Sequence, residues 1–198
     1  GIAVTTRDRD KGDQAVPMAG FPHPALESYL AKIVQAGLRA AVCEQIEDPR
    51  LVKGLVKRDV VRVVTPGTLT EDSLLDPRAA NYLAAVVEVG TKMGLAWVEL
   101  STGRFSLASL LRTELADEIA RLSPAETLVS ELSVDAPWLR ALRAQPGFAV
   151  TIRPSWDFQA EQARKALFDQ FGVTTLEGFG VDDRALEIQA AGALVAYL

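Results

Sequence analysis

Along the chain the apolar positions change their spacing several times, and each change marks an element. Residues 2–6 are apolar and β-branched, which predicts a strand. Residues 7–14, RDRDKGDQ, alternate charge around a glycine and read as an exposed loop, and residues 16–22 read as a compact apolar turn. Over residues 24–35, Leu26, Tyr29, Leu30, Ile33 and Val34 recur at spacings of three and four, the pattern of a helix with one buried face. Pro24 stands at its start, where a missing N–H does no harm, and Gly37 stands where a left-handed cap would end it. Residues 38–45 predict a second strand, and residues 46–53 a charged loop. Then comes Val60-Val61-Arg62-Val63-Val64, stopped by Thr65-Pro66-Gly67. Four valines in five positions predict a buried strand, and Pro-Gly ends it by removing a ladder donor and permitting a turn. These elements make a small α/β domain.

Residues 70–78, with acids in the first turn and a proline near the end, read as a short connecting helix or turn. Beyond them, runs 82–89, 92–101 and 104–110 are separated by Gly90 and by Ser101-Thr102-Gly103, which predicts an antiparallel meander. Alternation follows: helix 113–122, strand 126–130, helix 136–144, strand 148–152 and helix 156–171, the last burying Phe158, Ala163, Ala166, Leu167 and Phe171. A final Ala-rich helix, 183–198, carries Leu186, Ile188, Ala191, Leu194 and Val195. Three antiparallel strands followed by α-β-α-β-α is the order of the ribonuclease-H-like topology. The expected fold class is therefore α/β, with two small mixed domains at 1–78 and 79–180, the second ribonuclease-H-like, and residues 181–198 opening a helical region. The chain begins without Met inside a strand pattern and stops inside a helix, as expected of a piece of a longer protein.

Charge changes the picture more than overall composition does. The 198 residues carry a net charge of -5, against a uniformly basic nucleic-acid binder. Residues 1–62, however, hold 10 Lys/Arg against 8 Asp/Glu, and residues 63–198 hold 11 against 18. The first part is the better candidate for meeting phosphate. Cys43 excludes an internal disulfide and, in an apolar stretch, reads as a small buried hydrophobe; with only His23 beside it, a common zinc site or Cys/His catalytic pair is out of reach. No apolar run spans a bilayer, and no signal peptide is seen.

The candidate chemistry is cationic. Lys57 and Arg58 stand at the mouth of the valine strand, where they could face an anion, although a charged strand end is also what a solvated loop looks like. Arg7, Arg9 and Lys11 are interleaved with Asp8, Asp10 and Asp13, which fits a solvated loop as well as a phosphate contact. A nuclease would need several carboxylates converging on metal. Glu99 lies on a predicted strand and Glu88 near a strand end, while Asp157 and Asp182-Asp183 come much later, and nothing in their spacing forces them together. Phosphate-loop, metal-ligand and nucleophile–base patterns are missing.

Several long blocks occur in one order: PMAGFPHPALESYLAKIVQAG, AVCEQIEDP, GLVKRDVVRVVTPGT, ANYLAA, STGRF, PSWDF and GFGV before an Ala/Gly-rich helix. In these the chain resembles, over essentially its whole length, the bacterial DNA mismatch-recognition ATPases of the MutS family. The resemblance implies that residues 1 to about 76 correspond to most of a mismatch-binding domain and residues 80–180 to a connector domain without nuclease activity. It implies mismatched duplex DNA as a partner, docking of MutL on the connector, homodimerisation of the whole protein and a cytoplasmic location. It places Met18 in an apolar block on the DNA-facing side and makes Arg58, with Lys57, Arg7, Arg9 and Lys11, the expected phosphate contacts. The family's Phe-x-Glu wedge and its ATP and magnesium site have no counterpart in these residues, so no cofactor is expected here. A second reading makes the chain chiefly a protein-interaction module with negligible DNA binding of its own.

Overall fold

The computed structural model describes residues 2–6, 16–70, 75, 79–181 and 184–198. Among them, β1 (Val4–Thr6) pairs antiparallel with β2 (Pro17–Ala19), Thr5 opposite Met18. Residues 17–19 are thus a strand rather than the turn the apolar cluster suggested. Pairing with β1 supplies the ladder that their own composition does not announce.

The first helix opens with a 3-10 turn, His23–Ala25, and continues as α1 (Leu26–Gln35). It ends as expected. Gly37 takes φ +72, its amide donates to the Val34 carbonyl at 2.8 Å, and the Leu38 amide donates to the Ile33 carbonyl at 3.1 Å. This paired bonding satisfies the orphan carbonyls of the last turn and sends the chain back toward a strand. β3 (Ala40–Gln45) and β4 (Arg58–Val64) then pair antiparallel, with an irregularity between Val42 and Cys43. Leu30, Val34, Val64 and Leu69 form the small core between this hairpin and α1.

The valine strand departs from expectation. Val64 is buried, at 3% exposure, but Val60, Val61 and Val63 are 50%, 51% and 61% exposed. Among the described residues its sheet has two strands and α1 packs on only one face, so the expected buried strand is half open. Residue type selected the strand, and the number of covering layers decided its burial. Cys43, opposite Val60, is likewise exposed, correcting its reading as a buried hydrophobe.

The larger sheet has the order β7-β6-β5-β8-β9. β5 (Tyr82–Val89), β6 (Lys92–Glu99) and β7 (Arg104–Leu111) form the antiparallel meander; β8 (Glu126–Ser130) runs parallel to β5, and β9 (Val150–Arg153) parallel to β8. Helices α2 (Leu115–Leu122) and α3 (Pro137–Arg143) cover one face, packing Ile119 and Leu139 against Ala84, Val86 and Leu95. Helices α4 (Ala160–Phe171) and α5 (Ala185–Tyr197) cover the other, packing Leu167, Ile188 and Leu194 against Leu83, Ala85 and Leu128. With both faces covered, β5 reads as a continuous apolar run rather than an alternation.

Close approach holds this second unit together. A Cβ on Gly94 would stand 2.4 Å from the Leu186 carbonyl carbon, and one on Gly192 would stand 2.2 Å from Ala163 Cα. Those two glycines let α5 lie directly on β6 and on α4. The helix expected from residue 156 is split: a 3-10 turn, Ser155–Phe158, precedes an extended Gln159, and α4 starts after it. Phe171, expected in the core, is 44% exposed because it falls on the last turn of α4, at the rim of that face.

Candidate nucleic-acid interface and interdomain joint

Lys57 and Arg58 lie where the chain enters β4, both exposed. The base of the loop before them is closed by a backbone bond and a side-chain bond: the Ile46 amide donates to the Lys57 carbonyl at 3.1 Å, and the Lys57 amide donates to Glu47 Oε2 at 2.8 Å. Arg58 is opposite Gln45 and Asp59 opposite Glu44 in the ladder. The two cations therefore share this end of the hairpin with Glu44, Glu47 and Asp59. Arg62, four residues further along β4, is instead bound to α1 through Glu27 at 2.9 Å. Met18 is 46% exposed on β2, in a different two-stranded sheet. Arg7, Arg9 and Lys11 lie outside the described residues.

Of the carboxylates considered for metal chemistry, Glu88, Glu99 and Asp157 do not converge, and Asp182 and Asp183 lie outside the described residues. Glu88 and Glu99 sit at opposite ends of the β5–β6 ladder, opposite Met93 and Tyr82 respectively. Glu88 is bound by Arg112 at 2.9 Å and by Trp138 Nε1 at 2.7 Å, whereas Glu99 accepts from the neighbouring Thr102 hydroxyl at 2.9 Å. Asp157 is engaged by Arg153 at 2.7 Å. Among the described residues no group of three or more His, Cys, Asp or Glu is placed to hold a metal ion. Among them, too, no helix is long and apolar enough to cross a membrane.

A different carboxylate organises the molecule. Glu126, the first residue of β8, is 1% exposed and lies between the two units. Its Oε2 accepts from Thr65 Oγ1 at 2.5 Å and from the Gly67 amide at 3.0 Å. Its Oε1 accepts from Thr151 Oγ1 at 2.5 Å and from the Tyr197 hydroxyl at 2.8 Å. Four donors thus fill the acceptor sites of one buried carboxylate, which is the condition for burying such a group at all. The Thr65 hydroxyl also shares a hydrogen bond with Thr68 at 2.8 Å, and Asn81 Nδ2 donates to the Pro66 carbonyl at 3.0 Å. A Cβ on Gly67 would stand 2.7 Å from Leu83 Cδ1 and 2.8 Å from Glu126 Cβ, so this position admits no side chain without a shift.

Burial pushes the Tyr197 phenol above its usual range. The Thr65 hydroxyl opposes that push, the Glu126 carboxylate adds to it, and Arg39 opposes it more weakly. Tyr197 therefore stays a donor. Thr65-Pro66-Gly67, read as the stop of a strand, is also the part of the first unit that docks on the second. A charged residue opening an apolar strand, ETLVS, was the one signal in the sequence that pointed to Glu126.

The architecture defines a chain of two α/β units joined through a buried polar contact. The family description MutS domain I matches residues 1–73, and MutS domain II matches residues 81–198. The DNA mismatch repair protein MutS of Rhodopirellula baltica is 43% identical over 221 aligned residues, covering 100% of this chain. The chain belongs to the MutS family. It spans 24% of the length of that relative.

Proposed function

We propose that this chain is the DNA-contacting and connecting portion of a mismatch-recognition protein. The observation that carries this reading is the match of the whole chain, through both units in order, to a protein named for DNA mismatch repair. The first unit would hold duplex DNA through its phosphates, without regard to sequence, beside a wedge supplied from elsewhere in the whole protein. Such a wedge unstacks a step and kinks the duplex, which is easier at a mismatch than in paired DNA, and it needs neighbouring phosphate anchors to keep the protein in place. Lys57 and Arg58 are exposed at one end of the first unit and suit that role; Arg7, Arg9 and Lys11 would add to it. Met18 would meet the duplex as an exposed apolar side chain. ATP hydrolysis, homodimer formation and a cytoplasmic site of action would belong to the whole protein.

The second unit supports a complementary role as a scaffold. Its strand order suits the ribonuclease-H-like reading, and Glu88 and Glu99 are engaged locally, which fits a connector better than a nuclease. A cleft of about 440 Å³ beside the edge strand β7, with Phe171 and Phe179 stacked obliquely at its rim, favours docking of a protein such as MutL there.

Duplex binding at low and moderate salt tests the proposal, comparing a G·T mismatch with paired DNA and the parent chain with Arg58→Glu. Weak binding that falls with salt, ignores the mismatch and drops on charge reversal is expected. Binding indifferent to Arg58→Glu would remove that residue from the interface, and a clear mismatch preference would refute dependence on an external wedge.

A further inference from the structure

Two clefts flank the Glu126 joint. One, of about 490 Å³, separates Gln35 and Gly37 of the first unit from Ala125 and Phe148 of the second. The other, of about 500 Å³, separates Val63 and Thr70 from Leu100 and Leu198. Between them the turn Thr65-Pro66-Gly67 is held against β5 and β8.

The carboxylate divides its oxygens between the partners. Oε2 takes two donors from the first unit, and Oε1 takes two from the second. One of those, Tyr197, is the last residue of α5, whose buried residues pack on the large sheet and on α4. A single side chain therefore ties three segments: the turn after β4, the start of β9 and the end of α5. Directional bonds are concentrated at the centre, with open volume on both sides. That is the geometry of a pivot.

We propose that Glu126 is the pivot on which the first unit is oriented against the second, with α5 setting the position of that pivot through Tyr197. A displacement of the α5 end by about a hydrogen-bond length withdraws a donor from Oε1, frees the carboxylate to rotate and changes what Oε2 offers to Thr65 and Gly67. Glu126 is a positioning residue in this scheme, and the scheme stands whether or not the first unit binds DNA.

The chain has one cysteine, Cys43, exposed on the first unit, and Leu132 on the second is 82% exposed. Spin labels at position 43 and at a Leu132→Cys substitution report the distance distribution between the units. Tyr197→Phe and Thr65→Val are each expected to broaden and shift that distribution in the folded chain. Leu139→Ala, in the core of the second unit and away from the joint, should lower the melting temperature at least as far while leaving the distribution unchanged. Glu126→Gln should act like Tyr197→Phe. If Glu126→Gln fails to fold, the two hydroxyl deletions still decide. A distribution unmoved by both, or moved equally by Leu139→Ala, overturns the proposal.

Discussion

Thr65 Oγ1 lies 2.5 Å from Glu126 Oε2, joining residues 61 apart in the chain and belonging to different units. Neither residue touches water appreciably, at 3% and 1% exposure. The arrangement is stable only as a set, because removing the acceptor strands several buried donors together. Glu126→Ala should therefore destabilise the chain by about 3–5 kcal/mol, at the severe end for a single substitution. Glu126→Gln should cost less, about 1–2 kcal/mol, since the carboxamide oxygen can face Gly67 while its NH₂ meets hydroxyl oxygens that also accept. Urea denaturation of the three chains checks the order; equal losses for Ala and Gln would contradict it.

Two glycines separate steric from conformational demand. Gly67→Ala drives a methyl to within 2.7 Å of Leu83 Cδ1 and should cost about 1–3 kcal/mol through overpacking at the joint. Gly37→Ala places its methyl at an ordinary 3.7 Å from Ala149, so only the left-handed backbone at φ +72 is penalised, by about 1 kcal/mol. Replacing Gly37 by Asn, which tolerates that conformation, should recover part of the second loss; Asn at position 67 should recover nothing.

Alkaline titration should find Tyr197. Its folded pKa is raised by burial, so its contribution to stability is complete below the ordinary tyrosine value, about 10, and is lost as pH climbs through the folded value. Melting curves of the parent chain and Tyr197→Phe should run parallel from neutral pH upward and converge only on the alkaline side. A gap that closes below neutral pH would have the wrong sign for this cause.

The close approach of α5 gives a prediction remote from any partner. Gly192→Ala sets a methyl 2.2 Å from Ala163 Cα and 2.7 Å from its carbonyl oxygen, and backbone on α4 cannot yield as a side-chain tip can. A loss of about 1–3 kcal/mol is expected, with hydrogen-exchange protection falling first along α4 and α5. Loss of protection confined to β3 and β4 would place the strain elsewhere.

Most elements of the second unit were legible. Runs 82–89 and 126–130 coincide with β5 and β8, because long apolar stretches bounded by glycine or polar turns leave little choice of period. The cap at Gly37 was readable for a local reason too: few residues accept φ +72. The first unit was harder to read. There β2 depends on β1 for its ladder. In the second unit, Trp156 through Gln159 left the α-helical path although the apolar spacing continued.

The candidate site divides the same way. Lys57 and Arg58 were visible as charges beside Asp59, but Glu44 and Glu47 became their neighbours only when β3 and β4 paired. By itself the sequence determined which segments are strands and helices, where glycine must turn the chain, and the family to which it belongs, since each rests on residues close together or on their order. Only the tertiary structure decided that three valines of β4 stay half exposed and that Glu126 is buried among Thr65, Gly67, Thr151 and Tyr197. Burial depends on how many layers arrive at a face, and a carboxylate's partners on which distant segments meet it.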